Sequence, residues 1–417
     1  MKKKIPFTHK EIENIIKSYS TPFHIYDEKE MVDNTKRLKE AFSWCEGFKE
    51  YFAVKATPNP CILKILKNQG FGADCSSLPE LVMAERCGIV GENIMFTSNN
   101  TPTEEYRKAL EMGAIINIDD ISHIKILDKI GMPDLICLRY NPGKLRSGND
   151  FIGKPEEAKF GMTKEQLIES YNILKEKGVK RFGIHTMIAT QVLDPSYFIN
   201  TAQMLFDLVL EISLKCDISF EFINIGGGIG IPYDPNEEAI DINFIGSGIR
   251  KLYEKFLLKN ENKPLKIYME FGRMITGPYG YLVSKVIHTK NIYKKYIGID
   301  ACMANLMRVG MYGLYHHITI SGKEHMPLEE IYDITGSLCE NNDKFAIDRK
   351  LPKIEIGDIV VIHDTGAHGH AMGFNYNGKL RSAELLLRAD GTVLQIRRAE
   401  TIEDYFSTLN YDILNIL

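Results

Sequence analysis

Short runs of apolar and β-branched residues recur between Tyr51 and Phe271, each separated from the next by a helix-like stretch or a long connection, and this rhythm limits the fold more than any other feature. The runs are Tyr51 to Lys55, Gly72 to Cys75, Ile94 to Ser98, Ile115 to Ile118, Leu135 to Tyr140, Phe182 to Ile188, Phe220 to Ile225 and Lys266 to Phe271. Between them, segments such as Lys64 to Gly70 and Lys164 to Lys177 repeat apolar residues with a helical period, and several close on Gly or Lys-Gly. Eight such strands with intervening helices predict an α/β fold, a (β/α)8 TIM barrel. An open α/β sheet fits the same rhythm. The polar residues favour the barrel: Lys55, Asp74, Asn141, His185, Gly226 to Gly228 and Glu270 fall at or just beyond the carboxyl ends of the strand candidates, where a barrel gathers its reactive groups.

After Gly280 the pattern changes. Tyr281 to Val286, Tyr296 to Ile299, Ile331 to Ile334, Asp358 to Ile362 and Glu384 to Leu387 read as strands joined by irregular connections. This predicts a barrel over residues 25–275 and a second, β-rich domain built from 1–24 and 276–417. A chain of 417 residues is long enough for two such cores.

Lysine and arginine number 51 against 55 acidic residues, which argues against a nucleic-acid surface because phosphate binding calls for a basic excess. No stretch approaches about 20 uninterrupted apolar residues, so no membrane span is expected. The start is basic, but no apolar h-region follows it. The 8 cysteines form no CxxC pair and no metal-like ladder, which suits a reducing compartment, the cytoplasm by default. His368 and His370, with Asp364 nearby, show no recognised metal spacing, and a glycine-rich loop is the better reading of DTGAHGHAMG.

Three features carry chemistry. Lys55, in YFAVKAT, is either a lysine whose stem snorkels outward or an amine at a strand end, where desolvation favours the neutral, nucleophilic form. The glycines at 226, 227 and 228 follow an apolar strand and form either a tight turn or a nest of N–H groups for a phosphate. Glu270 and Arg273, in EFGR, close the next strand candidate: an arginine pairs with phosphate, and a carboxylate hydrogen-bonds a protonated pyridine nitrogen. Together they supply the three handles that pyridoxal 5'-phosphate needs.

The chain resembles the alanine-racemase-like (fold type III) pyridoxal-phosphate decarboxylases, and among them the diaminopimelate decarboxylases. The resemblance is carried by YFAVKA, FGADCSS, LRYNPG, KFGM, GIHTMIATQ, the triple glycine and EFGR, then by DACMANLMRVGMYGLYHH, GSLCENNDKFA and DTGAHGHAMGFNYN. It implies that Lys55 binds the cofactor aldehyde and that Asp74, His185, Met187, Thr190, Gly227, Gly228, Glu270, Arg273 and Tyr376 surround the cofactor. It further implies that Cys339 is a catalytic cysteine supplied by a neighbouring subunit of a homodimer. Arg273, Arg308, Tyr312, Glu340 and Tyr376 then belong to the substrate site. Arg308 and Glu340 have the signs that the distal carboxylate and ammonium of meso-2,6-diaminopimelate require. On the residues alone they read equally as an interdomain arginine and a helix-start carboxylate, and Cys339 as an inert thiol. The expected reaction is decarboxylation to L-lysine and CO2, the last step of lysine biosynthesis, with ornithine, arginine or a carboxylated polyamine precursor as the alternative substrates. An amino-acid racemase and a non-catalytic cofactor-binding protein share the barrel, but neither calls for the CENND segment.

Two departures stand out. The family's HxHxGS is His185-Thr186-Met187-Ile188-Ala189-Thr190 here, so a thioether, which carries neither proton nor charge, replaces the histidine that stacks on the cofactor ring. The usual proline before Gly272 is Phe271, which leaves that element less rigid.

Overall fold

A computed structural model describes residues 3–148, 153–261 and 263–415. The chain divides into two compact units, one of Val32–Ile231 and Glu238–Ile275, the other of Met1–Met31, Pro232–Glu237 and Thr276–Leu417. Strand β1 (Phe23–Asp27) belongs to the second. The next strands make a closed barrel: β2 (Lys49–Ala53), β3 (Gly72–Cys75), β4 (Ile94–Thr97), β5 (Ile115–Ile118), β6 (Leu135–Tyr140), β7 (Arg181–Thr186), β8 (Phe220–Asn224) and β9 (Lys266–Met269). All neighbours are parallel, and β2 meets β9 with Lys49 opposite Tyr268 and Glu50 opposite Met269.

Large apolar side chains plug the barrel interior. Tyr51, Met95, Ile115, Leu135, Cys137, Phe222 and Tyr268 form one buried cluster, and the Phe222 and Tyr268 rings stack at 4.4 Å. Gly183 makes room for this stack, since a Cβ there would lie 2.1 Å from the Phe222 ring. The plug leaves the carboxyl ends of the strands as the open mouth for chemistry. Helices cover the outside, and local signals start them: Asn59 caps Pro60–Asn68, and a capping box of Thr163 with Gln166 opens Lys164–Glu176. Among the described residues no helix is long and apolar enough to cross a membrane.

The strand runs end earlier than the apolar pattern. β2 stops at Ala53, and Val54–Ala56 turns in a single 3-10 turn that carries Lys55 out of the strand. β9 stops at Met269, one residue before Glu270.

The second unit holds β10 (Gly280–Asn291), β11 (Lys295–Ile299), β12 (Ile318–Ile320), β13 (Glu330–Thr335), β14 (Lys344–Leu351), β15 (Ile359–Ile362), β16 (Ala383–Leu387) and β17 (Val393–Arg397). Their order is β14-β13-β11-β10-β1-β16-β17, with β15 on β10 and β12 on β15. β1, buried at every position, pairs antiparallel with β10 and parallel with β16, so residue 25 lies inside a strand of this unit rather than at its edge. β12, β14 and β17 escape the sequence pattern. β12 has three residues, β14 carries the polar run Asp348-Arg349-Lys350 with Asp348 at φ 48°, and no residue of β17 is fully buried.

A polar network lies inside this unit. The Tyr26 hydroxyl donates to Glu384 Oε1 at 2.5 Å, and Arg397 and His370 flank the other carboxylate oxygen. His24, fully buried, donates from Nε2 to the Asn305 carbonyl at 3.1 Å and accepts at Nδ1 from the Thr365 hydroxyl at 3.3 Å. Burial, reinforced by His370, lowers the His24 pKa to about 3. A histidine with a depressed folded pKa stabilises fully above its unfolded pKa of about 6.5 and loses that contribution as pH falls toward 3. Between pH 6.5 and 5 this one group should cost about 2 kcal/mol of unfolding free energy. Urea unfolding of wild type and His24→Gln at pH 7 and 5 checks this. The variant should lose less stability on acidification, and equal losses would assign the acid sensitivity elsewhere.

Candidate active site

Four strand ends and one turn build the mouth of the barrel. Lys55 projects from the turn after β2, and its charge acts on Asp74 in β3, Glu80 in the following helix and Glu270 after β9, lowering the pKa of each. Asp74 nevertheless titrates well above the usual carboxylate range, because burial and the Glu270 charge both oppose its ionisation. Its Oδ1 is buried without a hydrogen-bond partner among the described residues.

Glu270 has the opposite fate. Burial pushes its pKa up, but His185, Lys55 and Asn224 together outweigh burial and bring it below the ordinary value. His185 Nε2 lies 3.1 Å from Oε2, and Asn224 Nδ2 donates to Oε1 at 2.6 Å. Two neighbouring carboxyls are thereby driven apart, Glu270 to the ionised form and Asp74 to the neutral one. His185 Nδ1 is buried with no partner among the described residues.

The triple glycine follows β8. Asn224 Oδ1 accepts the Gly226 N–H at 2.9 Å, so one amide side chain fixes both Glu270 and the start of the loop. A Cβ on Gly226 would lie 2.4 Å from the Thr186 carbonyl, on Gly227 2.4 Å from the Glu270 carbonyl, and on Gly228 2.3 Å from the Ala189 carbonyl. Gly226 and Gly228 also have φ of 69° and 104°. The loop thus packs against the ends of β7 and β9 at distances only glycine allows. The Gly227 N–H donates to Met187 Sδ at 3.2 Å, and Thr190 adjoins Gly228. Arg273, buried, opens the short helix Arg273–Thr276 directly after Gly272.

Sequence reasoning passed over Asn224, Asp119 and Arg139. Arg139 Nη1 donates to Asp119 Oδ1 at 3.1 Å, a buried pair, and its Nη2 donates to the Met187 carbonyl at 3.4 Å, fixing the backbone of that residue. Asn224 stands two residues before Gly226, a position from which an Asx-type bond to the glycine N–H was a readable signal.

The remaining predicted site residues lie in the β-rich unit. Arg308, buried, donates from Nη1 to the Tyr233 hydroxyl at 3.1 Å, and Tyr312 is half exposed at the other end of the same helix, Arg308–Tyr312. That helix packs against the Cys339 loop, since a Cβ on Gly310 would lie 2.4 Å from the Asn342 carbonyl. Cys339, exposed, donates its N–H to Asn377 Oδ1 at 2.7 Å, which ties its loop to the turn Tyr376–Gly378. Glu340 Oε1 accepts the Asn342 N–H at 3.1 Å, and the buried Asp343 carboxyl accepts from Met303 and Leu338, closing the loop from inside.

The sequence profile described as "Pyridoxal-dependent decarboxylase, pyridoxal binding domain" matches residues 28–277. The chain belongs to the pyridoxal-dependent decarboxylase family. It is 42% identical to Protein TabA of Pseudomonas amygdali pv. tabaci, over 97% of this chain and 95% of that protein. It is 35% identical to the diaminopimelate decarboxylase of Methanothermobacter thermautotrophicus, over 93% and 91%. Among solved structures it matches the diaminopimelate decarboxylase from M. jannaschii in complex with L-lysine, with a TM-score of 0.88 and 30% identity over 95% of this chain and 94% of that one.

The family's cofactor is pyridoxal phosphate, and the barrel residues fit it. The Gly227 N–H is bonded to a soft sulfur acceptor; Glu270 is ionised; Asp74 Oδ1 and His185 Nδ1 are buried polar atoms lacking protein partners among the described residues. A methyl group on Gly227 must displace the Glu270 backbone or the loop. Overpacking of this kind costs about 1–3 kcal/mol, so Gly227→Ala should weaken cofactor binding by roughly tenfold or more. Spectrophotometric titration with pyridoxal phosphate, alongside circular dichroism to verify folding, measures this. An unchanged dissociation constant would remove the loop from the phosphate site.

Proposed function

We propose that this protein decarboxylates meso-2,6-diaminopimelate to L-lysine and CO2, the last step of lysine biosynthesis. The observation that carries this reading is that the likeness to diaminopimelate decarboxylases covers 93% and 95% of the chain and so extends through both units rather than the barrel alone. Pyridoxal phosphate, when bound, supplies an aldehyde for the substrate amine and a ring that takes up the electron pair left as CO2 departs.

The chain's own residues do the rest. Lys55 Nζ would hold the cofactor through its aldehyde carbon and give up that place to the substrate amine. Gly227, Gly228 and Arg273 hold the phosphate, with Tyr376 reaching the phosphate or the substrate. Glu270, kept ionised by His185 and Asn224, holds a proton on the pyridine nitrogen and so maintains the ring's electron demand. Asp74 and Thr190 complete the surroundings of the ring and phosphate, and the Met187 thioether covers the ring face. Arg308 receives the distal carboxylate, Glu340 the distal ammonium, and Tyr312 lines the same end. Cys339 delivers the proton to the carbon that has lost CO2, with Lys55 as the alternative donor.

The protein works in the cytoplasm as a homodimer, with Cys339 of one copy serving Lys55 of the other, so that two-fold symmetry completes both sites at once. All eight cysteines are free thiols, which agrees with a reducing compartment.

The substrate assignment is tested on Arg308. Loss of a buried charge-assisted contact costs about 2–5 kcal/mol, so Arg308→Ala should lower kcat/KM for diaminopimelate by one to several powers of ten, as roughly each 1.4 kcal/mol is tenfold. Its effect on ornithine and arginine, which lack the distal carboxylate, should be much smaller. Equal losses would make Arg308 a structural residue, and a wild type that prefers ornithine or arginine would overturn the assignment. The shared site is tested by mixing inactive Lys55→Ala with inactive Cys339→Ala under subunit exchange. Activity should partly return, and heterodimers that stay inactive would count against sharing.

A further inference from the structure

Glu50 is a buried carboxyl, 2% exposed, that the reaction does not call for. It stands on β2 opposite Met269 of β9, at the last register pair of the two strands. Beyond that pair the backbones are joined differently. Glu50 Oε1 accepts the Phe271 N–H at 2.5 Å, and the Ala53 N–H donates to the Phe271 carbonyl at 3.3 Å. Both backbone groups of Phe271 are therefore satisfied by β2, one of them by a side chain.

What this joint holds is the segment from Glu270 to Arg273. On one side of it the Glu270 carbonyl meets Gly227; on the other, a Cβ on Gly272 would lie 2.7 Å from Ala56 Cβ, in the turn that carries Lys55. A shift of Phe271 moves the ring-nitrogen partner and the phosphate arginine relative to the lysine. Glu50 titrates well above the ordinary carboxylate range through burial, opposed by the Phe271 N–H and reinforced by Glu270 and Asp74, so the side chain acts as a neutral hydrogen-bond acceptor. Its Oε2 has no partner among the described residues, an unfavourable arrangement for a residue with no task. Phe271 is also where the N–H arises: a proline at that position has no N–H and needs no acceptor.

We infer that Glu50 is a positioning residue of the cofactor site, whose carboxyl oxygen accepts the Phe271 N–H and thereby sets Glu270 and Arg273 relative to Lys55. The inference rests on the cofactor roles proposed above for those three residues.

The test uses the full chain and three variants: Glu50→Gln, which keeps an acceptor oxygen, Glu50→Leu, which removes it, and Glu50→Leu with Phe271→Pro, which removes acceptor and donor together. The readouts are the dissociation constant of pyridoxal phosphate, the absorbance of the bound cofactor across pH, and the melting temperature of the cofactor-free protein. Glu50→Gln should bind within a few-fold of wild type. Glu50→Leu should bind roughly tenfold or more weakly, the consequence of an unsatisfied buried N–H, and shift the pH dependence of the absorbance. The double variant should recover most of the loss. Glu50→Gln as weak as Glu50→Leu would overturn the inference, as would a fall in melting temperature without a change in affinity. If Glu50→Leu does not fold, recovery of folded, cofactor-binding protein in the double variant reads the same coupling, and failure of both overturns it. Wild type that binds the cofactor without decarboxylating diaminopimelate defeats the substrate proposal and leaves Glu50 standing; wild type that binds no cofactor defeats both.

Discussion

Glu270 lies almost fully out of water, where burial alone would leave its carboxyl protonated, and the hydrogen bonds from His185 and Asn224 with the nearby charge of Lys55 reverse that outcome. An ionised carboxylate in such a place is costly unless every lone pair has a donor. The barrel supplies those donors because β7, β8 and β9 run parallel and in register, with His185 opposite Asn224 and Asn224 opposite Tyr268. Side chains from successive strands then meet at one level of the mouth. The charge also works outward: it reinforces the burial that raises Asp74 well above the usual carboxylate range, so two neighbouring carboxyls take opposite protonation.

The same strand ends determine the loops. Asn224 spends its amide on Glu270 and its oxygen on Gly226, so the carboxylate and the triple glycine cannot move independently. The loop approaches three carbonyls, those of Thr186, Ala189 and Glu270, more closely than any Cβ permits. Glycine is therefore required here for packing as well as for exposing N–H groups. The buried Arg139–Asp119 pair extends the constraint to β5 and β6, since Arg139 also holds the Met187 carbonyl.

The barrel was legible because its strands are buried on both faces and so read as near-continuous apolar runs, and because the polar residues that mark the site fall at their carboxyl ends. Lys55, Glu270 and the triple glycine were visible for that reason. What stayed hidden depends on pairing across long separations in sequence. Glu50 stood just outside the apolar run that begins at Tyr51, and only the register of β2 on β9 shows that its carboxyl meets Phe271. Arg139 and Asp119 are unremarkable charges until β5 and β6 bring them together. In the β-rich unit, β14 escaped because of its polar run Asp348-Arg349-Lys350, and β17 because it is short and none of its residues is fully buried, so periodicity carried little signal there. Where the carboxyl ends of barrel strands differ they come earlier than the apolar runs, because residues such as Val54 continue to be buried after the chain has left the strand for a turn, whereas β10 continues to Asn291, beyond the expected Val286.

Met187 shows how a departure from a family pattern is absorbed by its neighbours. Its sulfur accepts the Gly227 N–H, and its backbone is fixed by Arg139, so the residue is held as firmly as a histidine there would be. A thioether is a weak acceptor, and under the proposed function a phosphate oxygen would outcompete it, because charge-assisted hydrogen bonds are shorter and stronger than neutral ones. The loop N–H is thus satisfied in the absence of anion and released at little cost in its presence. A histidine at this position could add a positive charge beside the phosphate and a proton beside the ring. Met187 supplies neither, which under the proposed function makes Arg273 the positive partner of the phosphate and leaves proton delivery to Cys339, with Lys55 as the alternative donor. Under that proposal the demand shifts to residues that their neighbours already hold in place, Glu270 by His185 and Asn224 and the glycine loop by Asn224.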